Sequence, residues 1–202
     1  MEIDRQHIYT YDSMVLVDSF SGGYTRCMER LFVFSDLHGD VTALTILIER
    51  AKIEQADHLI CTGDVGLERL GLKGEMLFST GIPISIVRGN CDSPWIFADA
   101  GKRIPPQYDS IPFGKRKIFF THGHLFPNWQ AVPITLKEED IFISGHTHRA
   151  SLTHPKDSPI LLNPGSVSSP RDRKQPSYAI IKRDRISIHE LSSGSLLKSL
   201  EL

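Results

Sequence analysis

The chain has 202 residues, 40% hydrophobic and 23% charged, which is ordinary for a globular protein with enough sequence for one core. Its formal net charge of −1 gives no reason to expect nucleic-acid binding through bulk electrostatics. No apolar run approaches the ~20 residues that cross a bilayer, and the first residues lack the features of a signal peptide. Three cysteines cannot pair completely, so we expect a reducing cytoplasm.

Residues 1–27 differ from the rest of the chain, because they contain the breaker-rich stretch SFSGG and no clear hydrophobic period. We interpret them as an N-terminal extension that the sequence does not show to be ordered, and residues 28–202 as one domain. Met28 directly precedes the first well-defined strand, so a structured extension and a true start at Met28 both fit. A chain that starts at Met28 is expected to fold and bind metal.

From Leu31 onward, apolar strand-like runs alternate with helical patterns. One helix is predicted after Asp40, a good N-cap, a second over residues 67–78 despite its two glycines, and a third from Pro94. This alternation indicates parallel β-α-β units with functional residues at the carboxyl ends of the strands. The strands predicted in this part are 31–34, 58–61, 84–87, 117–120 and 141–143.

After His148 the predicted strands are shorter and lie at 160–162, 178–181 and 186–188. The turn at 182–185 between the last two indicates an antiparallel hairpin. Such a chain would form two sheets packed face to face, with the helices outside.

Each of the first five strands is followed at once by a glycine-containing cluster of Asp, Asn or His, and these clusters hold five of the nine histidines. Such side chains are ligands of divalent metals, and they suffice for two ions. Because strand ends converge on one edge of a sheet, the clusters predict a metal site there. They read DLHGD (36–40), GDVG (63–66), GNCD (89–92), THGH (121–124) and GHTHR (145–149).

Single clusters are weak signals, since a D-x-H after a strand or a G-D in a turn often has a structural role. In an extended stretch, Asp36 and His38 would point the same way and reach one ion. The two H-x-H pairs are stronger signals of a metal site, because core or solvated histidines seldom occur as two such pairs at strand ends. Surface or structural roles are expected for the remaining histidines, His7, His58, His154 and His189.

This ordered set resembles the calcineurin-like metallophosphoesterase superfamily, whose pattern is D-x-H, G-D, G-N-[H/C]-[D/E], H and G-H-x-H. Within it, residues 28–202 are similar to the small YfcE-type phosphodiesterases, including GHTHR and the NPGSVS stretch at 163–168. The resemblance implies a four-layer α/β-β/α sandwich that acts as a metal-dependent phosphodiesterase. Residues 1–27 have no counterpart in the pattern.

The resemblance also implies a dinuclear metal centre, in which metal-bound hydroxide attacks phosphorus in line. Asp64 would bridge both ions, with one carboxylate oxygen on each. Two divalent ions are expected, with Mn²⁺ preferred from the resemblance and Fe²⁺, Ni²⁺ or Zn²⁺ as alternatives. The other ligands would be Asp36, His38 and His148 for the first ion and Asn90, His122 and His146 for the second.

One position departs from the wider superfamily, where a His thought to protonate the leaving group often follows the ligand Asn. Here it is Cys91, as is common in the YfcE-type branch. A thiol, with a reference pKa near ~8.5, is a poorer partner for phosphate than imidazolium. Cys91 is therefore a catalytic candidate that favours diesters over monoesters, or else a small buried filler. Asp92 cannot partner such a His, which leaves its role open.

Three further features carry less weight. His124 is a catalytic candidate that would contact substrate or water, or support a ligand. The loop at 163–166 resembles one that supports a ligand histidine through backbone groups. Arg171, Arg173 and Lys174 could meet an anionic substrate, although a solvated charge run is the simpler interpretation.

Other functions remain open beside the phosphodiesterase. A non-catalytic scaffold of the same fold, like the retromer subunit, has degenerate metal residues, whereas all seven ligand positions are filled here. A phosphomonoesterase or a nuclease is disfavoured by Cys91 and by the lack of a basic excess. The expected partner is a small phosphodiester substrate, with no nucleic acid and no membrane, and the oligomeric state is left open.

Overall fold

The structure is a computed structural model that describes residues 28–171 and 175–202. The predicted extension at 1–27 lies outside these residues, as do Arg173 and Lys174. The helices are α1 (Val41–Ile53), α2 (Leu67–Leu70), α3 (Glu75–Phe78) and α4 (Pro94–Asp99). The strands are β1 (Arg30–Phe34), β2 (His58–Cys61), β3 (Ile84–Ile86), β4 (Tyr108–Phe113), β5 (Arg116–Thr121), β6 (Ile141–Ser144), β7 (Ser151–Thr153), β8 (Ile160–Asn163), β9 (Ser177–Lys182), β10 (Arg185–Glu190) and β11 (Leu196–Glu201).

The strands form two sheets, with the order β11-β10-β9-β1-β2-β3 in the first and β4-β5-β6-β8-β7 in the second. In the first sheet β1, β2 and β3 are parallel, and in the second β5, β6 and β8 are parallel. The hairpin expected near the C-terminus is present, since β9 and β10 pair antiparallel. The carboxyl ends of five parallel strands therefore carry the five polar clusters, as the sequence predicted.

The sheets pack face to face over a core built from alternate residues of their strands. Leu31, Val33 and Ile60 of the first sheet meet Ile141 and Ile143 of the second, and all five are fully buried. The intervening residues of β1 and β2 pack on the other face against α1. Because both faces are covered, these strands are apolar after their first residue, and each large buried side chain contributes about 1.5–3 kcal/mol.

Two features of the fold differ from the expectation in detail. The helix expected over 67–78 is divided by a 3-10 turn at Gly71–Gly74, where Gly71 has a φ of +53° and also caps α2. The outer face of the second sheet, at Phe119 and Phe142, is covered by a segment that includes Leu136 and the 3-10 turn Trp129–Ala131. The layer that covers this face is irregular. Its residues, 125–139, lack the hydrophobic period of a helix.

The strands β4, β7 and β11 were not predicted. Each is an edge strand of its sheet, and its side chains are mostly exposed. These strands therefore lack the apolar runs that mark central strands. None of the helices in residues 28–171 and 175–202 has the length and apolar character needed to span a membrane.

Candidate metal centre

The loops that carry the polar clusters are tied to one another by backbone hydrogen bonds. After β1 and β2, the Asp36 amide donates to the carbonyl of Gly63 (3.1 Å), and the His38 amide donates to the carbonyl of Asp64 (2.8 Å). After β5 and β6, the Gly145 amide donates to the carbonyl of His122 (2.9 Å). These bonds join neighbouring strand ends within each sheet.

One group of side chains joins the loops after β1 and β6. His148 Nε2 lies 3.3 Å from Asp36 Oδ1 and 3.3 Å from His38 Nε2, and His38 Nε2 lies 3.8 Å from Asp36 Oδ1. Ligand atoms of these three residues all lie within 4.8 Å of one another. The structure thus brings together the three residues predicted for the first ion, which we call the first ligand group.

A second group lies beside it, at the ends of β3, β5 and β6. His122 Nε2 lies 3.0 Å from Asn90 Oδ1 and 3.4 Å from Asp64 Oδ2, and the His122 and His146 ring centres are 5.1 Å apart. We call Asn90, His122 and His146 the second ligand group. Asp64 Oδ2 is also 3.8 Å from His38 Nε2, so this carboxylate lies between the two groups.

The two catalytic candidates border the same cluster. The exposed Cys91 has its Sγ within 4.8 Å of ligand atoms of His38 and Asp64, and it accepts a hydrogen bond from the Asn90 side-chain amide (3.3 Å). Burial, together with the charge of Asp64, raises the pKa of the Cys91 thiol to about 11. The His124 ring lies 5.4 Å from that of His122, and its buried Nδ1 has no hydrogen-bond partner among the described residues.

The backbone at the cluster adopts an unusual conformation. Five of the seven predicted ligands have a positive φ in the left-handed region, which costs a residue with a side chain of order 1 kcal/mol or more. The extended D-x-H geometry expected from the sequence is therefore wrong, because this stretch turns sharply at both positions. Strain of this kind persists where surrounding contacts impose it, and it concentrates at functional sites. The five are Asp36 (+55°), His38 (+48°), Asp64 (+53°), His146 (+66°) and His148 (+58°).

The charges of the cluster act on each other at short range. Burial raises the pKa of Asp36. The neighbouring Ser35 and the nearby histidines act to lower this pKa, but burial outweighs them. Burial also acts to raise the pKa of Asp64, but the hydrogen bond and charge of His122 outweigh it and lower this pKa. For His122, burial opposes protonation, and the hydrogen bond to Asp64 raises its pKa on balance. The two carboxylates thus differ in environment although they lie in one cluster.

Several supporting contacts come from the loop that the sequence singled out, but the sequence did not predict the side-chain atoms that make them. The hydroxyls of Ser166 and Ser168 both donate to the Asp36 carbonyl, at 2.8 and 2.9 Å, and the side-chain amide of Asn163 donates to the Gly145 carbonyl (2.9 Å). The NPGSVS loop therefore supports the site with side chains as well as with a backbone group, the Val167 amide, which donates to the Ser35 carbonyl (3.1 Å). A backbone group contributes just after the loop, where the carbonyl of Ser169 accepts from His148 Nδ1 (2.7 Å).

The structure also gives Asp92 a role that the sequence left open. Its buried carboxylate accepts the amide of Gly66 through Oδ1 (3.1 Å) and the amide of Gly89 through Oδ2 (3.0 Å). It thereby links the loop that carries Asp64 to the loop that carries Asn90. A side chain at Gly89 would collide with the Asp64 carboxylate, so these loops can pack only with glycine there.

The chemistry of the cluster fits a cation. His122 Nδ1 and His148 Nδ1 lie 2.8 and 2.7 Å from carbonyl oxygens, which can only accept, so these nitrogens carry the protons. In the neutral rings the Nε2 atoms then present lone pairs to the cluster. Asp36 Oδ1 is buried there and has no hydrogen-bond partner in the part of the chain that the structure describes. A divalent ion would satisfy this oxygen and the converging nitrogens together.

Two sheets with Asp, Asn and His side chains at their joined strand ends define an α/β protein with a candidate centre for divalent metals. The family model of the calcineurin-like phosphoesterase superfamily domain matches residues 29–185. The chain belongs to this superfamily. The predicted family, fold class and enzyme class, a hydrolase, are therefore confirmed, and membership implies divalent metal ions.

Individual relatives agree with this result. Phosphodiesterase YfcE of Escherichia coli (strain K12) is 29% identical over 185 residues, which cover 87% of this chain and 99% of YfcE. Probable metallophosphoesterase YsnB of Bacillus subtilis (strain 168) is 31% identical over 156 residues, covering 75% of this chain and 82% of YsnB. A solved structure of YfcE, a phosphoesterase from E. coli, has a TM-score of 0.72 at 27% identity and covers 85% of this chain and 98% of that one.

Proposed function

We propose that the chain is a metal-dependent phosphodiesterase with a dinuclear centre. The observation that carries the proposal is the buried Asp36 Oδ1, which accepts no hydrogen bond from any described residue while His148 Nε2 lies 3.3 Å away. An uncompensated carboxylate oxygen in such a place costs several kcal/mol by burial, so a cation there supplies what the protein groups do not. The similarity to the phosphodiesterase YfcE supports the reaction class.

The ligands of this proposal are the two ligand groups together with Asp64. Of its two oxygens, Oδ1 accepts the Cys91 amide (2.8 Å), while Oδ2 lies 3.4 Å from His122 Nε2 and 3.8 Å from His38 Nε2. Asp64 would therefore serve both ligand groups, and Oδ2 is the oxygen that faces His38 and His122. The Cys91 amide keeps the other oxygen fixed, so the carboxylate cannot rotate away from either group.

When bound, two divalent ions would lower the pKa of a bound water to supply hydroxide and would stabilise charge on the phosphoryl oxygens. The protein groups orient this chemistry. The Ser169 and Thr62 carbonyls hold His148 and His122 with Nε2 toward the cluster. The Asn90 amide donates to Cys91 Sγ, which turns its oxygen toward His122. These ligands are thus aimed before any ion binds, which reduces the cost of binding.

The preference for diesters rests on Cys91, which occupies the position where a histidine would assist the leaving group. A monoester dianion releases its alkoxide most easily with a proton donor or a cation nearby. A neutral thiol beside Asp64 supplies neither, whereas an activated diester needs less help. General acid assistance is typically worth about 10²–10⁴-fold, so its loss should appear as a clear substrate preference.

The test compares bis(p-nitrophenyl) phosphate with p-nitrophenyl phosphate for the Mn²⁺-loaded protein and for Cys91→His. We expect kcat/KM of the wild type to favour the diester, and Cys91→His to raise monoester hydrolysis relative to diester hydrolysis. Metal content is verified in both proteins, because the substitution lies next to three predicted ligands, His38, Asp64 and Asn90. A wild type that hydrolyses both esters equally well, or a variant with an unchanged ratio, contradicts the proposal.

Mn²⁺ is our proposed metal, since mixed His, Asn and carboxylate ligands suit it, with Fe²⁺, Ni²⁺ and Zn²⁺ as the alternatives. Activity after reconstitution with each metal, on protein freed of metal by chelation, decides among them. We retain the cytoplasm as the proposed compartment because the described cysteines, Cys61 and Cys91, are both free thiols. A chain that binds metal but hydrolyses neither ester would favour the scaffold function instead.

A further inference from the structure

Arg88 lies between β3 and Asn90, next to the candidate centre, and the proposed metal chemistry does not use it. Its backbone is fixed, because its amide donates to the Pro106 carbonyl at 2.7 Å. The side chain is partly buried, which is costly for a charged group unless it is held by partners. The partners of this guanidinium therefore indicate what it is positioned to bind.

The partner that holds the guanidinium is neutral. With the Gln107 amide oriented so that its oxygen faces Arg88, Oε1 accepts from Nη2 and from Nε (3.0 Å). Within residues 28–171 and 175–202, Arg88 forms no ion pair with a carboxylate, so its positive charge is not compensated there. An oriented but uncompensated guanidinium is suited to bind an anion.

The location of Gln107 places this charge beside the second ligand group. The Gln107 carbonyl accepts from the Thr121 hydroxyl (3.1 Å), and Thr121 is the last residue of β5, directly before His122.

We propose that Arg88 is a substrate-binding residue that donates hydrogen bonds to phosphate oxygens of the anionic substrate. This proposal rests on the phosphodiesterase function. A guanidinium has five N–H groups, and Gln107 takes two of them, one on Nε and one on Nη2. The three that remain include both on Nη1, so Nη1 and Nη2 can still bind two oxygens of one phosphate. The phosphate would be either the one that reacts or a second one on the same substrate.

The experiment uses the full-length Mn²⁺-loaded protein and three variants. Arg88→Ala removes the guanidinium, and Arg88→Lys retains the charge without the paired donors. Gln107→Glu is the matched variant, because it keeps the size of the side chain and gives Arg88 a carboxylate partner that neutralises it. Circular dichroism and metal content show that each variant is folded and loaded.

Three quantities are measured: the Kd of inorganic phosphate by calorimetry, the KM of bis(p-nitrophenyl) phosphate, and the inhibition constants of the dinucleotides ApA and pApA. We expect Arg88→Ala and Gln107→Glu to weaken phosphate binding about tenfold or more, as for a lost charged hydrogen bond, with Arg88→Lys intermediate. Calorimetry does not depend on turnover, so it tests Arg88 even if no diester is hydrolysed and the proposed function fails.

The outcomes separate the two phosphates. A parallel rise in KM for the one-phosphate diester places Arg88 on the reacting phosphate. If KM and the phosphate Kd are unchanged but pApA no longer inhibits more strongly than ApA, Arg88 binds a second phosphate of the substrate. If the phosphate Kd, KM and both inhibition constants stay within twofold of the wild type in Arg88→Ala and Gln107→Glu, the proposal is wrong.

Discussion

The two ligand groups differ in how completely the fold has assembled them. In the first, ligand atoms of Asp36, His38 and His148 lie within 4.8 Å of one another, and two of these side chains are nearly fully buried. In the second, His122 contacts Asn90 at 3.0 Å, but among the described residues His146 belongs to no such group. The first group is therefore compact as it stands, whereas the His146 ring lies apart from the rest of the second group. Under the two-ion proposal we expect the first group to bind its ion more tightly, because a preorganised site binds its ligand more tightly.

The supporting contacts explain this difference. The first group is held by the Ser166 and Ser168 hydroxyls on the Asp36 carbonyl and by the Ser169 carbonyl on His148 Nδ1. The backbone amide of His146 donates to Asp36 Oδ2 at 3.2 Å, but no hydrogen bond orients the His146 ring within the described part of the chain. Metal affinity depends strongly on such outer contacts, so we expect the first ion to bind more tightly.

The largest effect should come from Asp64, whose carboxylate lies between the two ligand groups. Asp64→Ala removes the oxygen that faces His38 and His122, so we expect loss of both ions and of detectable hydrolysis. His124→Ala removes a ring that lies outside both groups and should leave measurable activity. Equal residual rates for the two variants at saturating Mn²⁺ would show that Asp64 is not shared.

The next effect separates the groups from each other. His148→Ala should abolish the tighter binding step, because it removes a buried ligand of the first group. His146→Ala should leave that step intact and weaken the second, because its ring belongs only to the second group. The measurement is a calorimetric Mn²⁺ titration of each variant after chelation. If both variants weaken the same step, the division into two groups is wrong.

A smaller effect is expected from Asp92, which positions the second group without touching it. Asp92→Asn places an amide NH₂ against the Gly66 or Gly89 N–H, so the loop that carries Asn90 should loosen. We expect the second Mn²⁺ to bind about 10–100-fold more weakly, while the first changes little. Asp99→Asn, which removes the same charge from an exposed helix end, is the control and should change neither step.

The parts of the fold that could be predicted are those with apolar strands in the core. β2 begins and ends at the predicted residues, because both of its faces are buried and its sequence is almost continuously apolar. The edge strand β4 could not be found in this way, since it is exposed and contains Pro112, a residue that central strands exclude. The helix predicted over 67–78 is instead divided at Gly71–Gly74, and the sequence did not show that these glycines form a 3-10 turn.

For the site, the order of residues predicted which side chains meet, since strand ends converge in parallel sheets. Their local geometry could not be predicted. The left-handed φ of Asp36 and His38 is imposed by long-range bonds to the carbonyls of Gly63 and Asp64, which local sequence does not reveal. The role of Asp92 could not be predicted for the same reason. Its two partners are backbone amides, which any sequence contains.

The most direct test of the two-ion account is a titration of chelator-treated protein with Mn²⁺, in which free Mn²⁺ is followed by electron paramagnetic resonance. The account predicts two ions per chain, with a tighter step for the first group and a weaker step for the second. It also predicts that diesterase activity appears with the second step. Saturation at one ion per chain, or full activity after the first step, would contradict it.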